Sequence, residues 1–259
     1  LSDVSTKCLR AQELIYEVSF DRRPTPMDVH EAELIGHKHQ RISASGRDYQ
    51  CLGKSWGQNQ QSITFFSEPN CEGEYITQNC PDISQCVPNV GDNAISCACV
   101  IGIWILYSEP FYNSQGFGTV EWWFGLGYCW NLGPTDNQVS SLRSAGLKTN
   151  FMANTITLYY HLLFMGEEYI DITDLPDVPM NDVNSIIITG ESDWTVYTLP
   201  NFLGASACLS VQAGTFVGFY TDLSDLEINS VRSFREGCFS DTKIQPRPQR
   251  QGVVVSDSE

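Results

Sequence analysis

Short runs in which hydrophobic and polar residues alternate recur four times along the chain, and each run ends in an aromatic residue. Alternation with a period of two is typical of a β-strand that buries one face, and the frequent Gly, Pro, Asn and Asp between the runs indicate tight turns. A short, a long and a short interval separate the aromatic residues, which indicates repeats of about 40 residues arranged in two pairs. These residues are Phe66, Tyr107, Tyr159 and Tyr197.

A second pattern follows each of these aromatic residues. In the segments 159–166 and 197–204, another aromatic residue comes five positions later, and a glycine comes two positions after that. Two rings five residues apart can close over a folded hairpin, and the glycine supplies the positive φ that the chain reversal needs. The first repeat has Cys71 in the second aromatic position, and the second repeat has Tyr112 but no glycine before Gly116. The hairpin geometry of these two repeats therefore stays open at the level of the sequence.

The four repeats resemble the βγ-crystallin superfamily, whose Greek-key motif carries the signature Y/F-x4-Y/F/W-x-G. The resemblance covers residues 62–238. It implies an all-β fold with two βγ-crystallin-like Greek-key β-sandwich domains, each built from two motifs of four strands. We predict these domains at 62–148 and 154–240, after an N-terminal arm of unknown fold at 1–61. Residues 241–259 lack core periodicity and are predicted to be an exposed C-terminal tail.

Late in each repeat there is a cluster of Asp or Asn residues followed by serine. The clusters occupy residues 92–97, 136–141 and 181–186, and a degenerate copy occupies 225–230. Calcium takes six to eight oxygen ligands, which carboxylates, amide and backbone carbonyls and waters supply. The same residue types also form Asx turns and hydrogen-bonded corners without any metal. The clusters alone do not decide between these two interpretations.

The resemblance favours the metal, because the clusters look like the family's calcium-binding consensus N/D-N/D-x-x-S/T-S. In that family the second Asx residue, the next backbone carbonyl and the serine hydroxyl bind the ion, and a hairpin carbonyl of the partner repeat completes the site. We therefore predict Ca²⁺ as the cofactor, bound weakly because Asn replaces Asp at the second position of repeats one and two. The predicted metal-site residues are Asp92, Asn93, Ala94 and Ser96 in repeat one, Asp136, Asn137, Gln138 and Ser140 in repeat two, and Asn181, Asp182, Val183 and Ser185 in repeat three.

Ten cysteines without a C-x-x-C pair favour disulfides in an oxidising compartment over a zinc site. The pairs Cys208–Cys238 and Cys8–Cys51 fit their common positions in the last repeat and in the N-terminal segment, although the sequence does not fix the connectivity. A chain that begins at Leu1 without a basic and apolar leader fits a mature secreted protein, and a cloning boundary would look the same. We therefore expect a secreted, extracellular protein.

The formal net charge is −16. This charge excludes nucleic acid and an anionic membrane surface as the main partner, because both are negatively charged. The longest apolar run, Cys97 to Tyr107, is about half the length that spans a bilayer, so no transmembrane segment is expected. Calcium suits the charge, and a protein partner or a homodimer formed through exposed sheet edges stays an alternative.

Two other segments carry candidate chemistry. Segment 30–39 has three histidines and two glutamates that could bind a transition metal, although a solvated, pH-sensitive surface is the commoner role of such residues. Segment 121–130 is the densest aromatic cluster. Its rings could stack on sugars or form an interface, but core filling is the commoner explanation.

The pattern of titratable residues does not predict an enzyme. His161 is the one histidine within the repeats, and no nucleophile motif or phosphate-binding loop accompanies it. We expect a non-enzymatic, calcium-binding structural or protective protein that disulfides stabilise. The alternatives are a recognition module, either lectin-like or a subunit of a defence or toxin assembly, and a small-molecule carrier.

Overall fold

The structure is a computed structural model, and it describes residues 59–78, 93–226, 228, 230–246 and 252–256. Almost all of the regular structure in these residues is β-strand, arranged in sheets that are antiparallel except at one short edge strand. The all-β prediction is confirmed. Residues 1–58 of the predicted N-terminal arm lie outside the described residues, together with its histidines and its suggested cysteine pair.

Four of the strands in the described residues contain the alternating runs that the sequence analysis identified, and short helical turns lie between some of the strands. The strands are β1 Ser62–Glu68, β2 Glu72–Gln78, β3 Cys97–Tyr107, β4 Gly118–Asn131, β5 Ser141–Ser144, β6 Thr155–Tyr159, β7 Glu168–Asp171, β8 Ser185–Thr189, β9 Trp194–Leu199, β10 Leu203–Leu209, β11 Val217–Tyr220, β12 Ser233–Glu236, β13 Lys243–Ile244 and β14 Gly252–Ser256. The turns are Pro69–Cys71, Pro110–Asn113, Leu162–Phe164 and Leu223–Leu226.

Strand β3 is shared between the first and second repeats. Its first half pairs with β1, its second half pairs with β5, and β4 runs beside it along its whole length. The ladder with β4 is irregular between Val100 and Ile101, and Gly102 follows with φ +91°. A Cβ at Gly102 would collide with the Gln61 side chain. Both the left-handed backbone and the close approach therefore require glycine at this point.

The two faces of β3 belong to different hydrophobic clusters. Trp104 and Leu106 lie in the core of the first half, between strands of repeats one and two. Ile105 and Tyr107 lie in a second cluster together with Phe164 of the third repeat. This second cluster joins the two halves of the fold. Burial on both faces explains why β3 reads as a continuous apolar run rather than an alternating one.

The second half of the fold consists of two four-stranded sheets, in the orders β12-β9-β10-β13 and β11-β8-β6-β7. Strand β11 belongs to the fourth repeat but pairs with β8 of the third. Leu175 of the third repeat in turn bridges to Phe234 in β12. This reciprocal exchange is a paired Greek-key arrangement, and the core between the sheets contains Leu158, Trp194 and Phe234.

Two parts of the C-terminal segment form edge strands. Strand β13 pairs in parallel with β10, and β14 pairs antiparallel with β4. The segment that the sequence predicts as an exposed extension from residue 241 therefore adds one strand to each half of the fold. Main-chain hydrogen bonding at a sheet edge does not depend on hydrophobic periodicity, which is why the pattern of side chains did not predict these strands.

Three disulfides lie among the described residues: Cys71–Cys97, Cys99–Cys129 and Cys208–Cys238. The predicted Cys208–Cys238 pair is confirmed. The other two pairs connect the first repeat's hairpin to β3 and β3 to β4. They lie next to each other, and Phe66 packs against them.

Candidate functional site

The four aromatic hairpins share one backbone conformation. In each of them two consecutive residues have φ between 56° and 64°, and a glycine with positive φ follows. The closing rings lie 5.7 Å apart in repeat two, 5.5 Å in repeat three and 5.9 Å in repeat four, measured between centroids. The open question about the first two repeats is therefore resolved, because both adopt the hairpin. The paired left-handed residues are Asn70 and Cys71, Phe111 and Tyr112, Leu163 and Phe164, and Asn201 and Phe202.

A serine hydroxyl fastens the hairpin in three of the four repeats. In repeat two, Ser141 Oγ accepts a hydrogen bond from the Tyr112 amide at 2.9 Å and donates one to the Glu109 carbonyl at 2.6 Å. Ser185 and Ser233 make the same two bonds in repeats three and four, at 2.6–2.9 Å. We call this pair of hydrogen bonds the serine clasp.

The first repeat replaces the serine clasp with a covalent bond. Cys97 occupies the position of the serine, Cys71 occupies the position of the second aromatic residue, and the two form a disulfide. Cys71 replaces the second aromatic residue of the signature, and Cys97 replaces the clasp serine, so the disulfide between them takes over the role of the clasp. The hairpin is held at the same place by a different chemistry.

The clasp defines the register of the Asx clusters. The backbone amide just before the clasp residue donates to the carbonyl of the first hairpin aromatic residue in every repeat, at 2.8–3.0 Å. The donors are Ser96, Ser140, Asn184 and Arg232. Ser96 and Ser140 are the predicted ligand serines, so repeats one and two have the register that the sequence analysis assigned to them.

The third repeat is shifted by one residue relative to the predicted register. Ser185, predicted as a calcium ligand, is the clasp residue, and Asn184 stands where repeats one and two have their ligand serine. Val183 is 6% exposed and packs in the core, as Val139 does in repeat two. The sequence analysis placed the backbone carbonyl of Val183 at the ligand position of the loop, but Asp182 occupies that position in the structure. Polar residues flank Val183 in the sequence, so the shift follows from the hydrogen bonds of Asn184 and Ser185 together with the burial of Val183.

The fourth repeat carries a positive charge in place of the ligand serine. Arg232 occupies that position, and its Nη2 lies 3.2 Å from the Asp177 carboxylate. A guanidinium next to the loop opposes the binding of a second cation. Repeat four is thus the least suited of the four to calcium.

An open cleft of about 550 Å³ lies where the loops of repeats one and two meet. The two loops are held together by reciprocal hydrogen bonds: the Asn137 amide donates to the Ile95 carbonyl at 2.9 Å, and the Asn93 amide donates to the Val139 carbonyl at 3.3 Å. Asn93 and Asn137 both have left-handed backbones, with φ of 60° and 53°. The lining residues are Asn93, Ser108, Glu109, Pro110, Gly118, Thr119, Asn137, Gln138 and Ser140.

Four of the predicted metal-site residues therefore line one cleft, namely Asn93, Asn137, Gln138 and Ser140. The hairpin segment in this cleft belongs to repeat two, which also contributes Ser140, and repeat one contributes Asn93. The family pattern instead implied that the hairpin comes from the repeat that does not contribute the serine. Ser96 is 2% exposed and does not line the cleft. The Asp136 carboxylate accepts a hydrogen bond from the Asn137 side chain at 3.1 Å. Asp92 lies outside the described residues.

A smaller cleft of about 230 Å³ occupies the corresponding place in repeat three. Asn181 lines it at the position that Asn137 has in the larger cleft, which agrees with the shifted register. Glu167 and Glu168 also line it, whereas the larger cleft is lined by a single carboxylate, that of Glu109. The surroundings of Glu168 raise the pKa of its carboxyl by desolvation, and Arg143 opposes this effect.

Buried Glu121 anchors the loop that leads into the cluster of repeat two. Its carboxylate accepts hydrogen bonds from the Thr135 hydroxyl at 2.5 Å, the Gly133 amide at 3.2 Å and the Trp123 indole at 3.1 Å. Burial raises the pKa of Glu121, and these donors partly offset the rise. Sequence analysis did not single out Glu121, because its partners are 12 to 14 residues away or share its strand.

Arg143 is a buried cation between the two halves of the fold, and it is 1% exposed. Its guanidinium donates to the Phe164 carbonyl at 2.7 Å, to the Gly166 carbonyl at 2.9 Å and to the Tyr107 hydroxyl at 3.0 Å. Glu168 lies 3.3 Å from its Nε. Desolvation raises the pKa of Tyr107, so its phenol stays neutral. Arg143 therefore fixes the third hairpin against the second repeat.

The aromatic cluster 121–130 contributes mainly to the cores. Trp122 is 2% exposed and lies in the cluster that joins the halves, and Trp123 is 1% exposed in the core of the first half. Core filling is thus the role of these two rings, as the commoner explanation predicted. Tyr128 and Leu126 are about half exposed and are the members of the cluster that face solvent.

Comparison with solved structures identifies the architecture. Geodin, a βγ-crystallin from Geodia cydonium, matches with a TM-score of 0.53 at 19% identity, over 69% of this chain and 99% of that chain. A βγ-crystallin from an archaeon is 25% identical over 32% of this chain and 98% of its own, with a TM-score of 0.28. Protein S, solved in complex with calcium, is 18% identical over 68% of this chain and 99% of its own, with a TM-score of 0.25.

The geodin match carries the assignment, since its TM-score is the one of these three above 0.5. No protein-family model and no curated protein matches the sequence. The chain therefore has the βγ-crystallin fold, and the resemblance drawn from the aromatic hairpins is confirmed at the level of the fold. Among the described residues, no helix has the length and hydropathy to cross a membrane.

Proposed function

We propose that this protein binds calcium in the cleft between its first two repeats and acts as a non-enzymatic structural or protective protein outside the cell. The observation that carries the proposal is the meeting of two Asx loops, one from each repeat, at a single cleft lined by Asn93, Asn137 and Ser140. Amide, hydroxyl and backbone oxygens are ligands that calcium takes. The overall acidity of the chain favours a cation as well.

The proposed affinity is low, because the two central side chains are neutral amides. Carboxylates raise calcium affinity, and Glu109 is the carboxylate that lines the cleft. We expect a dissociation constant on the order of 10⁻⁴–10⁻³ M, which is typical of extracellular modules. Calcium at ten times that concentration stabilises the native state by about 1.4 kcal/mol. This magnitude suits an ion that stabilises the fold rather than one that signals.

The first pair of repeats supplies the principal site in this proposal. The second pair offers Asn181 and two glutamates at its smaller cleft, but Arg232 brings a positive charge to the loop of repeat four. Repulsion between that guanidinium and a calcium ion weakens any site that the fourth loop shares. We therefore propose that the second pair binds calcium more weakly than the first.

The extracellular location rests on the disulfides. Six of the described cysteines are paired, and disulfides persist in oxidising compartments. The proposal of a non-enzymatic role rests on the βγ-crystallin fold together with the pattern of titratable residues. Both clefts are lined mainly by polar groups, which does not favour an apolar cargo.

Native mass spectrometry and a thermal melt, each with calcium and with a chelator, test the proposal. We expect bound calcium in the native spectrum and a rise in melting temperature of about 3–6 °C at ten times the dissociation constant. No bound calcium together with no rise at millimolar calcium would end the calcium proposal. The same spectrum distinguishes the alternatives, because a co-purifying subunit, a homodimer or a bound small molecule each changes the mass in its own way.

A further inference from the structure

Four cysteines lie at one place in the first half of the fold. Cys99 and Cys129 stand opposite each other in the ladder between β3 and β4, and Cys97 lies two residues before Cys99 on the same face of β3. Cys71 comes from the first hairpin and is bonded to Cys97. The sulfur atoms of Cys71, Cys99 and Cys129 all lie within 4.8 Å of one another, although Cys71 is not bonded to the other two.

We propose that this cluster is a redox-dependent metal site: two disulfides when oxidised, and a thiolate site for zinc when reduced. Cys71, Cys99 and Cys129 supply three ligands, and Cys97, the disulfide partner of Cys71 outside this close group, supplies the fourth. Structural zinc sites are tetrahedral with Zn–S distances of about 2.3 Å, which places the sulfur atoms about 3.8 Å apart. The Cys99 and Cys129 sulfur atoms must therefore move apart from bonding distance once their disulfide is reduced, and the Cys71 sulfur atom must approach them by about 1 Å or less.

The two states exclude each other for a chemical reason. A sulfur atom in a disulfide cannot act as a thiolate ligand, so both S–S bonds must be reduced before the metal binds. A thiol or phosphine reductant supplies four electrons, and four protons from water complete the four thiols. Binding of one Zn²⁺ then releases up to four protons as the thiols become thiolates. No further co-reactant is required.

Strand pairing keeps the Cys97, Cys99 and Cys129 positions together without the disulfides, and Cys71 lies in the turn between the paired strands β1 and β2. Strand β3 pairs with β1 and with β4 at the cluster, and the ladder with β4 becomes irregular only between Val100 and Ile101. Cys97 and Cys99 are 1% and 6% exposed, and Phe66 packs against them. A buried group of neutral thiols is tolerated in such surroundings, and a bound cation compensates the charge of the thiolates.

A second group of possible ligands provides the matched control. Asp193, Cys208 and Cys238 also lie within 4.8 Å of one another, but this group has two sulfur atoms and one carboxylate. Reduction of Cys208–Cys238 yields two thiols in this second group, just as reduction of Cys99–Cys129 yields two thiols in the first. Only the four-cysteine cluster offers the set of soft ligands that a tetrahedral thiolate site requires.

Cobalt spectroscopy on the full chain tests the proposal. The protein is reduced with a phosphine under anaerobic conditions, and Co²⁺ is titrated in as a spectroscopic probe for zinc. We expect the visible bands of tetrahedral Co²⁺ and thiolate-to-cobalt absorption with one ion bound at this site per chain, and we expect Zn²⁺ to abolish both. The double variant Cys99→Ser with Cys129→Ser should lose these bands, and Cys208→Ser with Cys238→Ser should keep them.

Three results would overturn the proposal. Reduced protein without tetrahedral bands has no such site. Equal bands in the Cys99→Ser, Cys129→Ser variant would assign the ion to other cysteines. Circular dichroism recorded in parallel reports the fold, and a reduced chain that unfolds and does not refold with Zn²⁺ would also contradict the proposal.

Discussion

Arg143 Nη2 donates a 2.7 Å hydrogen bond to the Phe164 carbonyl, so a buried arginine of the second repeat closes the aromatic hairpin of the third. The same guanidinium lies 4.4 Å from the ring centroid of Tyr112 and 4.7 Å from that of Tyr159. Arg143 thus contacts the hairpins on both sides of the boundary between the two halves. The halves are joined by a polar centre as well as by a hydrophobic cluster.

Replacement of Arg143 is expected to be severe. Arg143→Leu leaves Glu168 and two hairpin carbonyls buried or partly buried without their cation, and we expect the free energy of unfolding to fall by about 3–5 kcal/mol. The control is Arg235→Leu, whose side chain is 34% exposed and pairs with Asp174 at 3.8 Å. We expect that change to cost about 1 kcal/mol or less. Urea denaturation measures both, and equal losses would contradict the assigned role.

The serine clasp and the Cys71–Cys97 disulfide are expected to be interchangeable. Cys71→Phe with Cys97→Ser rebuilds in repeat one the residues that form the clasp in repeat three. We expect this double variant to fold and to recover part of the about 3 kcal/mol that loss of the disulfide costs. Cys71→Ala with Cys97→Ala is the matched control that has neither bond. Thermal melts compare them, and equal stability of the two variants would show that the positions are not equivalent.

Glu121 should give the stability a specific dependence on pH. Because burial raises its folded pKa above the unfolded value, the unfolded chain releases this proton at lower pH than the folded chain does. The contribution to stability is therefore largest below the unfolded pKa and is lost as the pH rises through the folded pKa. We expect wild type to lose stability relative to Glu121→Gln as the pH rises from the usual pKa range of a glutamate carboxyl to higher values. Urea denaturation across this range checks it, with exposed Glu191→Gln as the control; a relative gain for wild type would contradict the sign.

The edge strand β14 should protect β4 from other chains. A chain that ends at residue 251 leaves the outer edge of β4 without the partner that β14 provides. Unpaired edges favour association between chains. We expect the truncated protein to form dimers or larger species at concentrations at which the full chain does not, as measured by light scattering. An unchanged molar mass of the truncated protein at every concentration would show that β14 does not prevent association through the edge of β4.

The sequence predicts the features of this fold that are local. Alternation predicts one strand in each repeat. The spacing from Tyr159 to Phe164 and from Tyr197 to Phe202 predicts two hairpins, because the two rings are only five residues apart. The predicted Asn137, Gln138 and Ser140 line the cleft for the same reason, since one short loop contains all three.

Features that depend on distant contacts could not be predicted in this way. Arg143 reads as one polar residue in a short strand, and its partners lie up to 36 residues away. Cys97 replaces the clasp serine and Cys71 replaces the second aromatic residue. This pair of replacements can be recognised only once the serine clasp of the other repeats is known. The shifted register of repeat three follows from the hydrogen bonds of Asn184 and Ser185 to the hairpin, together with the burial of Val183.

Calorimetric titration of calcium into Asn93→Gly and Asn137→Gly tests the central claim most directly. Glycine keeps the left-handed backbone of both positions and removes the amide side chain with its oxygen. Asn201→Gly, at a left-handed position in the fourth hairpin, is the matched control. We expect each cleft variant to weaken calcium binding by about tenfold, the factor that corresponds to about 1.4 kcal/mol for one lost ligand, with the control unchanged. Wild-type affinity in both cleft variants, or no binding heat in wild type, would contradict the account.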